Sequence, residues 1–326
     1  MLLNDIIRLS TLEFYKIWHN KISKISIILT IFYCILFLFL NNSIGDFVKS
    51  QESNDSSVSW QKQLQEDTDM LEDFEQRDDD YVNLLGIERI TTQKEINEYR
   101  IKHNLEPIDT FWEISLRIVN SAFKILLVFV CIISSNSIVT EFQKGTIKQL
   151  LVRPYRRYKI LIGKLLGVLS FSILLLLLIF LTSLISGIVF IRQGKIDHMF
   201  VGFLNGNIFS VKYYIYEVLA FGLYIIILIL AISFCFTAAL IIQSKSLTLV
   251  ITLVSLSLGT SISTALMDKI SFIKFTFLNN LNLLEYFNFG RNNGLDFSQS
   301  IIVIFINILI LNFIGFYVFE KREVYC

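Results

Sequence analysis

The sequence predicts an all-α polytopic membrane protein with six transmembrane helices, an N-terminal amphipathic interfacial helix and a small acidic helical extracellular subdomain between spans one and two. Three observations predict it. Hydrophobic residues fill 54% of the 326 positions and only 17% are charged, against about a quarter charged in an ordinary soluble chain. Mean hydropathy is +0.60, and the apolar residues fall in runs longer than a soluble core needs. Proline occurs only at Pro107 and Pro154. Long uninterrupted helices fit that composition, whereas a membrane barrel would alternate apolar and polar residues at period two.

Residues 1–20 read as an amphipathic helix lying at the cytoplasmic interface. Ile6, Leu9, Leu12, Phe14 or Tyr15 and Ile17 make a broad apolar face, with Arg8, Glu13 and Lys16 largely opposite, toward water. No small-residue cleavage pattern follows, so the first span, within 21–44, is expected to stay as an anchor. A helix needs about 20 apolar residues to cross roughly 30 Å of hydrocarbon. Runs near 22–40, 118–139, 160–191, 216–242, 247–266 and 300–319 meet that standard. The third run is longer than a bilayer requires, and its Lys164 end is expected to project into water. Cys34, Cys131 and Cys235 sit inside the runs and read as small buried hydrophobes.

Lys and Arg in short loops set orientation. The leader, the link between spans two and three, Lys245 in the tiny link between spans four and five, and the tail with Lys321 and Arg322 fall on one face if there are six spans. That face is expected to be the cytoplasmic side of the plasma membrane, with both termini inside. The opposite face carries segment 45–117, with 18 acids and 8 bases. It reads as an acidic helical subdomain whose start, 51–59, is flexible. Asp78, Asp79 and Asp80 lack the alternating oxygen ligands and turn glycine of a calcium loop, so no metal site is expected. Two further outer segments, 192–215 and 268–297, are too aromatic and apolar for ordinary loops. The first has turn signals at Gly194, Gly202 and Gly206 with Asn205 and Asn207, and the second reads as a re-entrant segment.

No residue constellation suggests an enzyme. HExxH, GxSxG and CxxC motifs are missing from the sequence, and the three histidines, His19, His103 and His198, are scattered. A phosphate-binding loop needs an upstream glycine and a following Ser or Thr, and Gly163-Lys164 has neither. Lys124 and Glu217 lie near span ends, where both are expected to snorkel to the interface. No titratable residue falls near the middle of a span, so energy for any transport must come from a partner.

The most informative stretch is residues 140–167, TEFQKGTIKQLLVRPYRRYKILIGKLLG. It reads as the end of one span, a turn at Gly145, a short helix, a break at Pro154 and the basic start of the next span. Glu141, Gly145, Thr146, Leu150, Leu151, Pro154 and Arg157, followed by Lys164 ahead of the next span, resemble the signature of ABC transporter permeases of the type-2 (ABC-2) export superfamily. The layout is similar too: amphipathic leader, six spans, a large outer loop after span one, an apolar segment before span six and a short charged tail.

The resemblance implies a permease without its own ATPase domain, in which the cytoplasmic coupling loop 140–159 docks on a separate ABC ATPase. The residues implied in coupling are Glu141, Lys144, Gly145, Thr146, Lys148, Leu151, Arg153, Pro154, Arg156, Arg157 and Lys164. It also implies a second permease copy or homologue, surrounding membrane lipid and no nucleic acid. ATP and Mg belong to the partner ATPase, and this chain is expected to bind no cofactor. Span five is rich in small and hydroxyl residues, which suit close helix packing. By the resemblance it lies near the dimer axis, with Asn136, Ser255, Thr260 and Ser261 on a translocation path or dimer interface. The cargo implied is hydrophobic, lipid-like or peptide. Two rival readings stay open: a resistance or immunity subunit sensing a cationic antimicrobial peptide through the acidic outer domain, and a membrane-embedded transferase.

Overall fold

A chain segment in hydrocarbon must satisfy its backbone N–H and C=O groups from within, so long apolar runs free of proline have the helix as their one local solution. The computed structural model describes residues 2–52, 60–76, 87–106, 111–145, 156–190, 199–204, 206–267, 269–288 and 295–321, and most of them are helical. Five helices are long and apolar enough to cross a membrane: α5 (Phe111–Gln143), α6 (Arg157–Phe190), α7 (Tyr213–Ile242), α8 (Lys245–Met267) and α9 (Phe297–Lys321). Each coincides with one of the apolar runs. Before them come α1 (Leu2–Trp18) and α2 (Lys21–Glu52), bent by 71° at their junction and counted as a sixth span only if taken together.

The core forms where α5, α6 and α7 meet. Leu126 and Val130 of α5, Phe171, Leu175 and Ile179 of α6, and Leu228 and Ile232 of α7 are all fully buried. Helix α7 is apolar all round, as a central helix must be. Lipid is as apolar as leucine, so hydrogen bonds and close packing hold such helices together rather than hydrophobic exclusion. Thr237 accordingly donates to the Leu311 carbonyl at 2.8 Å, and Asn312 Nδ2 to Ser233 Oγ at 3.0 Å, joining α7 to α9. Helix α8 shows the same physics on its surface. It buries Thr248, Thr252, Gly259 and Ser263 and turns Val250, Val254, Leu258 and Ile262 outward, the reverse of a soluble amphipathic helix.

Glu217 turns into the protein. It is 2% exposed, and its Oε1 accepts from Ser115 Oγ at 2.6 Å, which also contacts Ser183 Oγ at 2.9 Å. One serine of α5, itself in contact with a serine of α6, therefore binds a carboxyl that reads from sequence as a snorkelling one. Lys124 is exposed, as expected.

The expectation of an all-α chain is corrected between α6 and α7. Strands β1 (Met199–Leu204) and β2 (Asn207–Lys212) form an antiparallel hairpin, from Met199 opposite Lys212 to Leu204 opposite Asn207. Phe200 stacks on Tyr216 of α7 at 3.7 Å between centroids, and Phe209 meets Phe287 edge-on at 6.1 Å. The signal is Asn205-Gly206 between runs of aromatic and β-branched residues, the strongest short hairpin pattern. Gly202, expected at a turn, lies within β1, where a side chain would collide with Phe200 and the Phe287 carbonyl, while Gly194, His198 and Asn205 lie outside the described residues.

Among the described residues of 268–297 no long helix forms before α9. Two 3₁₀ turns, Ser271–Phe275 and Phe277–Asn280, precede a single helical turn, Glu285–Asn288. Asparagine side chains compete with the helix ladder for backbone groups, and Asn280 Nδ2 donates to the carbonyls of Lys274 at 3.0 Å and Thr276 at 2.9 Å. Leu278 lies against Gly259 of α8, and Asn307 of α9 donates to the Phe275 carbonyl at 3.0 Å.

In the acidic segment α3 (Trp60–Gln76) packs on α4 (Ile87–Lys102). Leu64, Thr68, Ile90 and Ile96 are buried there, and Lys94 pairs with Glu72. Tyr99 reaches Ser210 of β2 at 3.4 Å, and Arg89 reaches Glu285 at 3.8 Å, so the pair rests on the hairpin and the segment before α9. Residues 53–59 and Asp78, Asp79 and Asp80 lie outside the described residues; α2 runs on through Glu52.

Candidate functional site

At the charge-rich end, α5 stops where Gly145 takes φ +66°, a left-handed cap that glycine adopts without steric strain. Just before it stands Glu141. Helix α6 opens with Arg157 and Lys159 and reaches Lys164 two turns later. Between them, Thr146, Lys148, Leu150, Leu151, Arg153 and Pro154 lie outside the described residues.

Helix α1 lies across these two ends and is tied down by charge. Lys164 Nζ is 2.9 Å from Glu13 Oε1 and 2.7 Å from Glu141 Oε1. It also lies 3.4 Å from the Ser137 carbonyl. Lys16 pairs with Glu141 and lies 3.8 Å from Glu13 Oε2. Further along, Lys159 Nζ donates to Asp5 Oδ2 at 2.8 Å. Two carboxylates and two ammonium groups thus close one cluster joining α1, α5 and α6. Desolvation works against the charge on Lys16, but Glu13 and Glu141 together outweigh it and raise its pKa above the ordinary lysine value. Lys16 therefore stays protonated throughout the neutral range.

Close approach makes the cluster possible. A Cβ on Gly163 would stand 2.7 Å from Leu9 Cβ, and one on Gly167 2.8 Å from Glu13 Cβ. The two glycines are one helical turn apart, so together they form a flat strip on α6 against which α1 lies. The spacing Gly-Lys-Leu-Leu-Gly is plain in the sequence, yet its meaning depends on what packs there.

Three expectations change here. Glu13, read as facing water, turns into the protein beside the buried Leu9 and Ile17, while Leu12 and Tyr15 of the apolar face are exposed. Lys164 does not project into water and is 3% exposed. Glu141, expected on the coupling loop 140–159, is 5% exposed and pairs within the chain. Among the described coupling residues, Lys144, Gly145 and Arg156 are exposed. Arg157 is half-buried and donates to the Glu320 carbonyl at 3.1 Å. Glu13, Lys16 and Asp5 are the site residues that sequence reasoning missed, because their partners stand more than a hundred positions away.

The residues expected on a translocation path or dimer interface lie apart within the chain. Asn136 lines a cavity of about 690 Å³ beside the charge cluster, together with Lys16, Lys144 and Lys245. Thr260 lines a second cavity of about 660 Å³, with Asn120, Lys124 and Tyr224. Ser255 is half-buried and Ser261 exposed, and neither lines these two cavities. Among the described residues no group of three or more His, Cys, Asp or Glu is placed to hold a metal. Cys131 Sγ and Cys235 Sγ, both buried, lie 3.2 Å apart between α5 and α7.

The family described as "Protein of unknown function (DUF2705)" matches residues 89–325. The match takes in all five span-length helices, Glu141 and Lys164, and begins after α1 and α2. A relative from Bacillus subtilis (strain 168), "Uncharacterized protein YhcI", is 27% identical over 235 residues, covering 70% of this chain and 74% of its own.

Proposed function

The chain belongs to the DUF2705 family, and from that premise we propose that it is the membrane-spanning permease subunit of an ATP-driven exporter, working with separate ABC ATPase subunits. The observation that carries this reading is the junction of α5 and α6. The signature-like stretch from Glu141 to Lys164 has its two ends clamped together by a buried ion-pair cluster and capped by α1. A force applied to the loop between them is thereby passed into two spans and the leader at once. Coupling needs such a rigid element, whose contacts differ between two states.

Lys16, Lys144 and Lys245 come from three separate links and line one cavity, so those links share an end of the bundle. By the positive-inside rule that end is the cytoplasmic one, and α1 with α2 supplies the sixth span. Leu278 reaches Gly259, eight residues before the end of α8, or about 12 Å along a helix at 1.5 Å per residue. That depth favours a re-entrant segment. The two cavities, at opposite ends of α5, suit a path that opens alternately to each side.

The test is co-purification of the tagged chain with candidate ABC ATPases, comparing wild type with Lys144→Glu plus Arg156→Glu. Both residues are exposed and stand outside the ion-pair cluster, so the variant is expected to unfold at the wild-type temperature. Its ATPase retention should fall at least about tenfold, as expected when more than about 1.4 kcal/mol of charge contact is removed. If no ABC ATPase is held by well-folded wild-type chain, the energy source disappears and the permease reading goes with it.

A further inference from the structure

The cavity at the charge-rich end has a chemistry of its own. Its walls come from α1, the start of α2, the last turns of α5 and the start of α8. The charges there fall into two groups. Glu13, Glu141, Lys16 and Lys164 neutralise one another. Lys144 and Lys245 line the same cavity with no acidic partner among the described residues, leaving a local positive excess.

The acceptors are equally distinctive. Glu141 Oε2, Glu13 Oε2, Ser23 Oγ and Ser137 Oγ are buried without a hydrogen-bond partner, and all four residues line this one cavity. The Glu141 side chain is 6% exposed and Ser23 is 1% exposed. Glu13 Oε2 lies 3.8 Å from Lys16 Nζ, an ion-pair contact too long for a hydrogen bond. A buried polar atom left unsatisfied is costly, and an ionised carboxylate oxygen only accepts. The two serine hydroxyls can donate or accept, but the group that completes the two carboxylates must donate, and a charged N–H donates most strongly to a carboxylate. Leu12, Ile17 and Ile22 give the same cavity an apolar wall.

We propose that this cavity binds the headgroup of an aminophospholipid of the phosphatidylethanolamine type. The ammonium group meets the free oxygens of Glu141 and Glu13, the phosphodiester lies against Lys144 and Lys245, and the acyl chains leave along the apolar wall. The assignment needs only the chain and a bilayer, so it stands or falls apart from the ATPase reading.

Native mass spectrometry of the detergent-purified full-length chain tests it with defined lipids. Phosphatidylethanolamine is expected to be retained. Phosphatidylcholine has the same phosphodiester but a quaternary ammonium without N–H, and should bind at least about tenfold more weakly for want of a charge-assisted hydrogen bond. Glu141→Gln disturbs the ion-pair cluster, so the lysines carry the decisive variant. Lys144→Ala with Lys245→Ala should weaken phosphatidylethanolamine binding about twenty-five-fold, at roughly fivefold per lysine. Four results overturn the proposal: phosphatidylcholine retained as tightly, phosphatidylglycerol retained in preference, soluble glycerophosphoethanolamine displacing the lipid at equal concentration, or the double variant binding like wild type.

Discussion

Replacing Lys164 with alanine should loosen α1 from the bundle and lower stability by about 3–5 kcal/mol, the usual loss when one member of a buried charge pair is removed. Lys164 is the cation that touches both Glu13, at 2.9 Å, and Glu141, at 2.7 Å, and its side chain is 4% exposed. Without it two carboxylates, 13% and 6% exposed, share the partly solvated Lys16. Thermal unfolding of the detergent-purified variant measures the loss. The control is Glu13→Gln with Lys164→Met, which leaves the Lys16–Glu141 pair intact and the cluster neutral. It should recover most of the lost stability, because a missing pair is far less costly than an orphaned charge. Wild-type stability in Lys164→Ala would show that the cluster contributes nothing.

Putting leucine at Gly163 should separate α1 from α6 by steric force alone. The Cβ position there is already 2.7 Å from Leu9 Cβ and 3.4 Å from the Leu9 carbonyl carbon, atoms fixed to the α1 backbone that cannot swing aside. Overpacking of this kind costs about 1–3 kcal/mol, and Gly167→Leu should act alike through Glu13 Cβ at 2.8 Å. The two changes differ in one respect. Gly167→Leu pushes directly on Glu13 and so also parts it from Lys164. A cysteine at Leu9, 7% exposed in the native packing, reports the movement. With Cys326 replaced by serine, a water-soluble maleimide should label it quickly in the Gly163→Leu background and slowly otherwise. Equal labelling in both backgrounds would mean that the glycine strip does not set the helix distance.

Both experiments address features that are hard to see in the amino-acid order. Four of the five span-length helices are legible there to within about three residues, as the run 216–242 and the helix Tyr213–Ile242 illustrate, while α5 starts seven residues before its run, at Phe111. The glutamates and lysines of the site are equally visible, but their facing is not. Glu13 sits on the polar side of an amphipathic helix, and nothing local distinguishes a carboxylate facing water from one facing a lysine 151 positions on. Asn205-Gly206 shows another kind of miss: the hairpin signal is present, but the aromatic composition of the whole segment masks it.

Sequence alone therefore specifies the helical class, the positions of the five span-length helices and the unequal distribution of charge. In hydrocarbon each helix closes its own hydrogen bonds, so local composition suffices to specify it. The tertiary structure decided which end of α6 is buried, that Gly163 and Gly167 form a docking strip, and that Glu141 and Lys164 look inward. Those outcomes depend on long-range pairing, where the free energy belongs to two distant side chains brought together and to neither one's sequence neighbours.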